Sequence, residues 1–245
     1  MEYNNILYEK YQRNDTSQCG EDGMIEELLR RLDIQKGVSV DIGASDGMWY
    51  SNTFNLVRNG WEVYEVEGNV NDGLPKFCQT YPNVKYKFCY VTDKDNENNV
   101  NKVLKELGCP KEIDLMSIDI DSIEYWIWDV LEFSPKVMVI EIEPRNYPLD
   151  MIYHNRDESI PKEVRRNVIN PPQNITGAGP MLEMAKKKGY FLIGHTITNL
   201  FFLRKDMIER LKWPEVTNVE ELSNFNPYYI GEENQKRWKE YVKKD

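Results

Sequence analysis

Four acidic residues close two strand-like stretches of the sequence. Asp119 and Asp121 end one stretch, and Glu141 and Glu143 end the next. Because residues two apart on a strand share a face, the carboxyl groups of each pair are expected to point the same way. If the two strands are neighbours, the crowded charges raise at least one pKa, which suits a general base. The same oxygens suit Mg²⁺. The alternative is that two of the four acids cap helices or pair with Lys or Arg.

The stretch Val40–Gly47 reads as a strand followed by a turn that opens a helix. Gly43 allows a tight turn and a close approach of a ligand to the backbone. Ser45 stands where the dinucleotide fingerprint has its middle glycine, so a pyrophosphate site is not supported. Asp41, an acid at the end of the strand, suits a ligand with a positive or zwitterionic end, such as the methionine part of S-adenosylmethionine.

Glu67 and His195 each end a further strand-like stretch. An acid in the position of Glu67 can accept both ribose hydroxyls of an adenosine. The ordinary pKa of a histidine suits proton transfer, which makes His195 a candidate catalytic residue, although a single histidine is more often structural. His154 is a weaker candidate of the same kind.

Strand-like and helix-like segments alternate along the first 142 residues. This alternation predicts βαβ units, and hence an α/β fold with a doubly wound, mainly parallel sheet. In such a sheet ligands bind beyond the carboxyl ends of the strands. The predicted strands are 37–42, 61–66, 84–91, 113–120 and 136–142, and the predicted helices are 21–33, 48–59, 71–80, 97–108 and 123–132.

The pattern changes after Glu143. Residues 144–176 contain five prolines and lack periodicity, which is typical of a substrate loop or lid. A helix at 178–188 and strands at 190–194 and 199–203 follow, and the two strands predict an antiparallel hairpin that closes the sheet. We expect a single domain over 1–245, with a core at 17–205 and a helical extension at 206–245.

Charge and composition exclude several classes of protein. The net charge is −10, and an acidic chain does not suit a dedicated binder of nucleic-acid backbones. The sequence has no apolar run of membrane-spanning length, no visible signal peptide, no Cys-x-x-Cys pair and only two histidines. These features predict a cytoplasmic protein without a membrane partner or a zinc site.

One region is locally basic. Residues 155–210 contain ten basic and six acidic residues, and Arg156, Lys162, Arg165 and Arg166 lie close together in the predicted loop. These side chains are either a solvated surface or a clamp for an anionic substrate, such as a phosphate or a nucleotide.

Several separated blocks of the sequence resemble the FkbM-type S-adenosylmethionine-dependent methyltransferases. The resemblance covers about residues 17–205. One departure is Ser122, because the family usually has glycine after the second aspartate of this motif. The blocks are Ser17–Gly23, Val40–Gly47 with Ser51–Thr53, Gly60–Trp61 leading into Glu67–Asn69, Asp114–Asp121 with Tyr125–Trp126, Val139–Glu141, Lys188–Tyr190 and Asn199–Arg204.

The resemblance implies a Rossmann-like class I methyltransferase, with transfer usually to oxygen and often to sugars or secondary metabolites. Val91 and Thr92 would flank the adenine, while Gln18 and Asn52 would reach the methionine end. The full set of cofactor-binding positions expected by this resemblance is Gln18, Asp41, Gly43, Ala44, Ser45, Asn52, Glu67, Val91, Thr92 and Asp119.

Together these features predict O-methylation of a small, polar, anionic acceptor, such as a phosphorylated or nucleotide-linked sugar or metabolite. Asp119 or Asp121 would remove the hydroxyl proton, with His195 in reserve. The alternatives are methylation of RNA or another nucleic acid, and a non-catalytic subunit that binds S-adenosylmethionine. A divalent metal at Asp119, Asp121 and Glu141 is not favoured. Acceptor contacts are expected at Glu141, Arg156, Arg165 and Arg166.

Overall fold

The computed structural model describes residues 5–142 and 176–211 of the chain. Its strands are β1 (Val38–Ile42), β2 (Glu62–Glu67), β3 (Val84–Phe88), β4 (Leu115–Ile118), β5 (Val137–Glu141), β6 (Tyr190–His195) and β7 (Asn199–Arg204). Its helices are α1 (Ile6–Tyr11), α2 (Glu21–Arg31), α3 (Phe54–Arg58), α4 (Gly73–Thr80), α5 (Val100–Glu106), α6 (Glu124–Val130) and α7 (Ala178–Lys188), followed by a 3₁₀ helix (Lys205–Arg210).

All seven strands form one sheet in the order β3-β2-β1-β4-β5-β7-β6. The first five strands are parallel, and β7 runs antiparallel to both β5 and β6. The predicted doubly wound, mainly parallel sheet with an antiparallel hairpin at its end is therefore confirmed. The strand order reverses between β1 and β4, which is where a sheet of this kind leaves a crevice for a ligand.

Helices cover both faces of the sheet, and each face has its own apolar cluster. On one face α5, α6 and α7 pack on residues such as Val40 and Phe202. On the other face α1, α2, α3 and α4 pack on residues such as Leu115 and Phe201. Both faces of the central strands are buried by these helices, as expected for a parallel sheet.

The spacing of apolar residues identifies α2 and the hairpin correctly. Met24, Ile25, Leu28 and Leu29 recur at helical spacing and are all buried against the sheet. The short helix α1 was not expected. None of the helices in the described residues is long and apolar enough to cross a membrane.

The predicted helix 48–59 is wrong in its first half, because only Phe54–Arg58 is helical. Gly47 and Tyr50 both have positive φ angles, of 84° and 54°, which interrupt a right-handed helix. The hydroxyl of Ser51 then accepts the backbone N–H groups of Thr53 and Phe54 at 3.1 and 3.0 Å. Ser51 thus holds a turn just before the N-cap residue Thr53, and the helix begins six residues later than predicted.

Two predicted strands are too long at their carboxyl ends. β3 stops at Phe88 rather than at 91, and β4 stops at Ile118 rather than at 120. Asp121 has a φ of 58°, outside the strand region. The argument that Asp119 and Asp121 share one face of a strand is therefore wrong, although their carboxyl groups do meet, as described below.

Candidate functional site

A cleft of about 820 Å³ opens at the carboxyl ends of the central strands, beside the point where the strand order reverses. Its walls come from the turns after β1, β2, β3 and β4 and from the end of β5. This is the place where the fold leaves room for a ligand. The lining includes Gln18, Gly43, Ser45, Asp46, Trp49, Tyr50, Glu67, Gly68, Asn69, Tyr90, Val91, Asp119, Asp121, Ser122, Glu141 and Thr198.

The turn after β1 is shaped by Gly43. Its φ is 99°, and a Cβ at this position would collide with the carbonyl oxygen of Asp119. The N–H of Asp119 donates to the carbonyl of Ile42 at 2.8 Å, so the chain leaving β4 runs directly against β1. Glycine is required here by the protein's own backbone, rather than only by the approach of a ligand.

Glu67 links two turns at the floor of the cleft. Its Oε2 accepts the N–H of Ser45 at 2.8 Å, and its Oε1 accepts the N–H of Asn69 at 2.7 Å. The residue is 9% exposed and lines the cleft. A carboxylate offers about four lone-pair positions, so each oxygen of Glu67 keeps one for a further donor. Glu67 is thus held in a fixed orientation and is able to accept two hydroxyl groups.

Three exposed aromatic side chains border the cleft. Tyr90 is 67% exposed, its hydroxyl donates to Oδ1 of Asn69 at 2.5 Å, and its ring lies where a Cβ on Gly68 would be. The rings of Trp49 and Tyr50 are 5.0 Å apart and also largely exposed. Such rings offer flat apolar faces to a planar or apolar group of a ligand. The sequence analysis did not single out these residues, although Tyr90 directly precedes Val91.

Three carboxyl groups meet at the other end of the cleft. One oxygen each from Asp119, Asp121 and Glu141 lies within 4.8 Å of the others. Burial raises the pKa of Asp119 to about 6, and the neighbouring Asp121 acts in the same direction. Burial, followed by the charge of Asp119, raises the pKa of Glu141 to about 11. Glu141 therefore keeps its proton at neutral pH and donates a hydrogen bond to the ionised Asp119.

This cluster also has the chemistry of a hard-cation site, since Mg²⁺ prefers oxygen ligands. Asp119, Asp121 and Glu141 are the residues that would hold such an ion. A cation would have to displace the proton of Glu141, which lowers metal affinity at neutral pH. Glu143, the fourth acid of the predicted set, lies outside the described residues.

Several residues expected to contact a cofactor lie beneath or beside the cleft rather than in its lining. Asp41 is buried, and its Oδ2 accepts the hydroxyl of Thr53 at 2.8 Å. Burial raises its pKa to about 7. Asn52 donates to the hydroxyl of Ser117 at 3.0 Å and faces the groove between α2 and α3. Ala44 is buried, and Thr92 forms a β-bridge with Asn99. The expected cofactor-binding residues that do line the cleft are Gln18, Gly43, Ser45, Glu67, Val91 and Asp119.

The loop that carries Gln18 is fixed by two buried acids that the sequence analysis gave no role. Oδ2 of Asp22 accepts the backbone N–H groups of residues 15, 16 and 17 at 2.7–2.8 Å. Glu21 accepts the N–H of Cys19 at 2.6 Å and the hydroxyl of Thr196 at 2.8 Å. Acids at the start of a helix are the sequence signal that could have indicated this anchoring.

His195 does not line the cleft. It is buried, and its Nδ1 donates to the carbonyl oxygen of Thr196 at 3.1 Å. Burial lowers its pKa to about 4, so the ring is neutral at physiological pH. His154, Lys162 and the predicted acceptor-binding residues Arg156, Arg165 and Arg166 lie outside the described residues, as does most of the predicted lid.

Ser122 has a negative φ, because the left-handed backbone conformation falls on Asp121 instead. Its hydroxyl donates to the carbonyl oxygen of Ile120 at 3.2 Å. The position therefore does not need a glycine.

No family model matches the chain, and no curated protein matches it. Among solved structures, it is similar to 1,6-didemethyltoxoflavin-N1-methyltransferase from Burkholderia thailandensis, with bound S-adenosylhomocysteine, at 13% identity and a TM-score of 0.44 over 73% of this chain and 75% of that one. It is similar to precorrin-6y C5,15-methyltransferase from Geobacter metallireducens at 12% identity and a TM-score of 0.41, over 83% and 100% of the two chains.

A third neighbour is an S-adenosylmethionine-dependent methyltransferase from Aquifex aeolicus, at 12% identity and a TM-score of 0.40, over 72% of this chain and 86% of that one. All three of these structures are methyltransferases.

Proposed function

We propose that the chain binds S-adenosylmethionine in the cleft and transfers its methyl group to an oxygen of a small acceptor. The observation that carries this proposal is Glu67, fixed by the N–H groups of Ser45 and Asn69 with a free lone pair on each oxygen. That arrangement suits the two vicinal hydroxyls of a ribose. Tyr90 and Val91, on the next turn, border the space where the attached base would lie.

The charge of the cleft favours a cationic cofactor. Asp46, Glu67, Asp119 and Asp121 line it beside the protonated Glu141, and the described part of the lining includes no Lys, Arg or His. S-Adenosylmethionine brings a positively charged sulfonium with a methyl group that a nucleophile can attack. Carboxylates near the sulfonium would stabilise it by simple Coulombic attraction.

The same geometry disfavours a dinucleotide. Backbone N–H groups in the turn after the first strand are the donors that bind a pyrophosphate in dinucleotide folds. Here the N–H of Ser45 is already bonded to the negatively charged Glu67. A pyrophosphate at this turn would meet a carboxylate instead of a free donor, so a cofactor such as NAD is not favoured.

The residues of the cleft can also move the acceptor's proton. Asp119, with a pKa raised to about 6 by burial, is ionised at neutral pH yet basic enough to accept a hydroxyl proton. Asp121 is the alternative base. The neutral His195 was the reserve candidate, but its buried position makes the carboxyl groups the better choice. Beyond this step the protein contributes alignment of the acceptor oxygen with the methyl group.

The class of acceptor remains the prediction drawn from the sequence. A small anionic acceptor, such as a phosphorylated or nucleotide-linked sugar or secondary metabolite, would meet Glu141 at the cleft and Arg156, Arg165 and Arg166 in the basic segment. The resemblance to FkbM-type enzymes supports the same class. Methylation of RNA and a non-catalytic role in cofactor binding are the alternatives, and the net charge of −10 counts against RNA.

Calorimetric titration with S-adenosylmethionine tests the proposal, using the wild-type protein and the variants Glu67→Gln and Glu62→Gln. Glu62 begins the strand that Glu67 ends and lies away from the cleft, so it provides a matched control. Methyl transfer to phosphorylated and nucleotide-linked sugars then tests the acceptor class.

A further inference from the structure

Glu124 is a buried acid directly behind the cluster of carboxyl groups. It begins α6, is 0% exposed and is not among the residues that line the cleft. Its Oε1 accepts two backbone N–H groups, from Ile120 at 3.0 Å and from Ser122 at 2.9 Å. One side-chain oxygen thus ties down the backbone on both sides of Asp121.

The turn that Glu124 holds contains a residue in the left-handed region. Asp121 has a φ of 58°, in the left-handed region, where a non-glycine residue needs local support. The hydroxyl of Ser122 supplies a second contact by donating to the carbonyl oxygen of Ile120. On the other side, the N–H of Asp119 is fixed to β1 through Ile42. The chain between these two anchors presents both aspartates to the cleft.

We propose that Glu124 is a positioning residue, which holds the turn 119–122 so that Asp119 and Asp121 stand beside Glu141 in the cleft. The proposal rests on the methyl-transfer function proposed above, because it gives these carboxyl groups their role toward the acceptor. Glu124 itself makes no contact with the cleft, so its effect on the reaction passes through the turn.

The two hydrogen bonds from Ile120 and Ser122 require an acceptor oxygen on residue 124 rather than a negative charge. Burial raises the pKa of Glu124 to about 8, so the group is largely neutral at pH 7 and accepts through one oxygen. Its other oxygen, Oε2, is buried and has no hydrogen-bond partner in the described part of the chain. Glutamine keeps an acceptor oxygen in the place of Oε1, while alanine leaves two buried N–H groups unpaired.

Three variants test the proposal: Glu124→Gln, Glu124→Ala and Ile127→Val. Ile127 is a buried residue of the same helix, so its variant controls for a general loss of packing. Amide hydrogen exchange of residues 120 and 122, followed by NMR, reports the hydrogen bonds directly. In Glu124→Ala we expect exchange at these two amides to accelerate at least about tenfold, with near-wild-type exchange in Glu124→Gln and Ile127→Val.

Turnover provides the second readout, measured with any phosphorylated or nucleotide-linked sugar that the wild-type protein methylates. A displaced pair of aspartates should lower kcat about 100-fold in Glu124→Ala, with S-adenosylmethionine affinity changed much less and kcat largely restored in Glu124→Gln. Unchanged exchange and kcat in Glu124→Ala, or a Gln variant as impaired as the Ala variant, would overturn the proposal. If the wild-type protein binds no S-adenosylmethionine, the proposed function fails, and the exchange experiment still decides whether Glu124 holds the turn.

Discussion

The N–H of Ser45 donates to Oε2 of Glu67 at 2.8 Å, which joins the turn after β1 to the end of β2. This contact removes the backbone donor on which a pyrophosphate would depend and orients the carboxylate for a pair of hydroxyl groups. In the function proposed above, this hydrogen bond is one reason for placing an adenosyl cofactor rather than a dinucleotide in the cleft.

Replacing Gly43 with alanine should destabilise the protein strongly. Gly43 and Gly108 both have left-handed φ angles, of 99° and 75°, but a Cβ at 43 would strike the carbonyl of Asp119, whereas a Cβ at 108 meets nothing within 4 Å. Gly108→Ala should cost only the conformational strain, about 1–2 kcal/mol. Gly43→Ala should cost clearly more in the free energy of unfolding measured with urea. Equal losses in the two variants would contradict the contact between β1 and the turn after β4.

Asp41 should make the protein less stable as the pH rises from about 4 to about 7. Its pKa is raised by burial from 3.8 to about 7 in the folded state, so the folded protein holds a proton that the unfolded chain has lost. Stability is then lost as the pH rises through this window, by at most about 1.4 kcal/mol per pH unit for one group. His195, whose pKa is lowered to about 4, acts in the opposite direction only below about pH 6.5.

The variant Asp41→Asn tests this assignment by urea denaturation at several pH values. Asparagine retains an acceptor for the hydroxyl of Thr53 but cannot ionise. The change in stability between about pH 5 and pH 7 should be less negative in the variant than in the wild-type protein. The buried Glu124 keeps part of the slope, since its pKa is also raised, to about 8. An identical slope in the variant would show that Asp41 is already ionised in the folded state.

Asp119→Asn should lower kcat by about 100-fold or more, because the variant lacks the proposed general base. In the wild-type protein kcat should rise with pH through about 6 and then level off, since the base must be ionised. Asp95→Asn is a control at an exposed carboxylate that pairs with Lys102, and it should leave kcat unchanged. A pH profile that is flat from 5 to 8 would exclude Asp119 as the base.

Turnover should survive chelation of divalent cations. Glu141 keeps its proton at neutral pH, and a cation would have to displace this proton to bind at the three carboxyl groups. Treatment with EDTA should therefore leave kcat within about twofold of the untreated protein, and added MgCl₂ should not increase it. Loss of activity on chelation with recovery on Mg²⁺ would instead assign Asp119, Asp121 and Glu141 as metal ligands.

The sheet was largely predictable because strands and helices are each marked by the spacing of apolar residues within a short stretch of sequence. Buried parallel strands such as β4 and β5 consist mostly of apolar residues, and the helices of the sheet have apolar faces. The ends of the strands were less predictable, because they depend on side-chain contacts that follow no periodic pattern. β4 stops at Ile118 since the next residues turn to reach Glu124, a contact that no spacing rule contains.

Some residues of the cleft were predictable from the sequence, and others were not. The positions of Glu67, Asp119 and Glu141 follow from strand ends that must meet at one edge of the sheet. The burial of Asp41 and His195 does not follow from strand ends, because it depends on which parts of the chain cover them. Thr53 covers Asp41, and the chain around Asn5 covers His195. Exposed rings such as Trp49 carry no periodic signal that separates them from core residues.

The most direct test of the central proposal is a calorimetric titration of the wild-type protein with S-adenosylmethionine, S-adenosylhomocysteine and NAD. We expect both adenosyl ligands to bind and NAD not to bind. Glu67→Gln should weaken the adenosyl ligands by at least about tenfold, since hydrogen bonds to a charged group are lost, while Glu62→Gln should bind like the wild type. Absence of adenosyl binding at millimolar concentration, or equal affinity in the Glu67→Gln variant, would contradict the assignment of this cleft to S-adenosylmethionine.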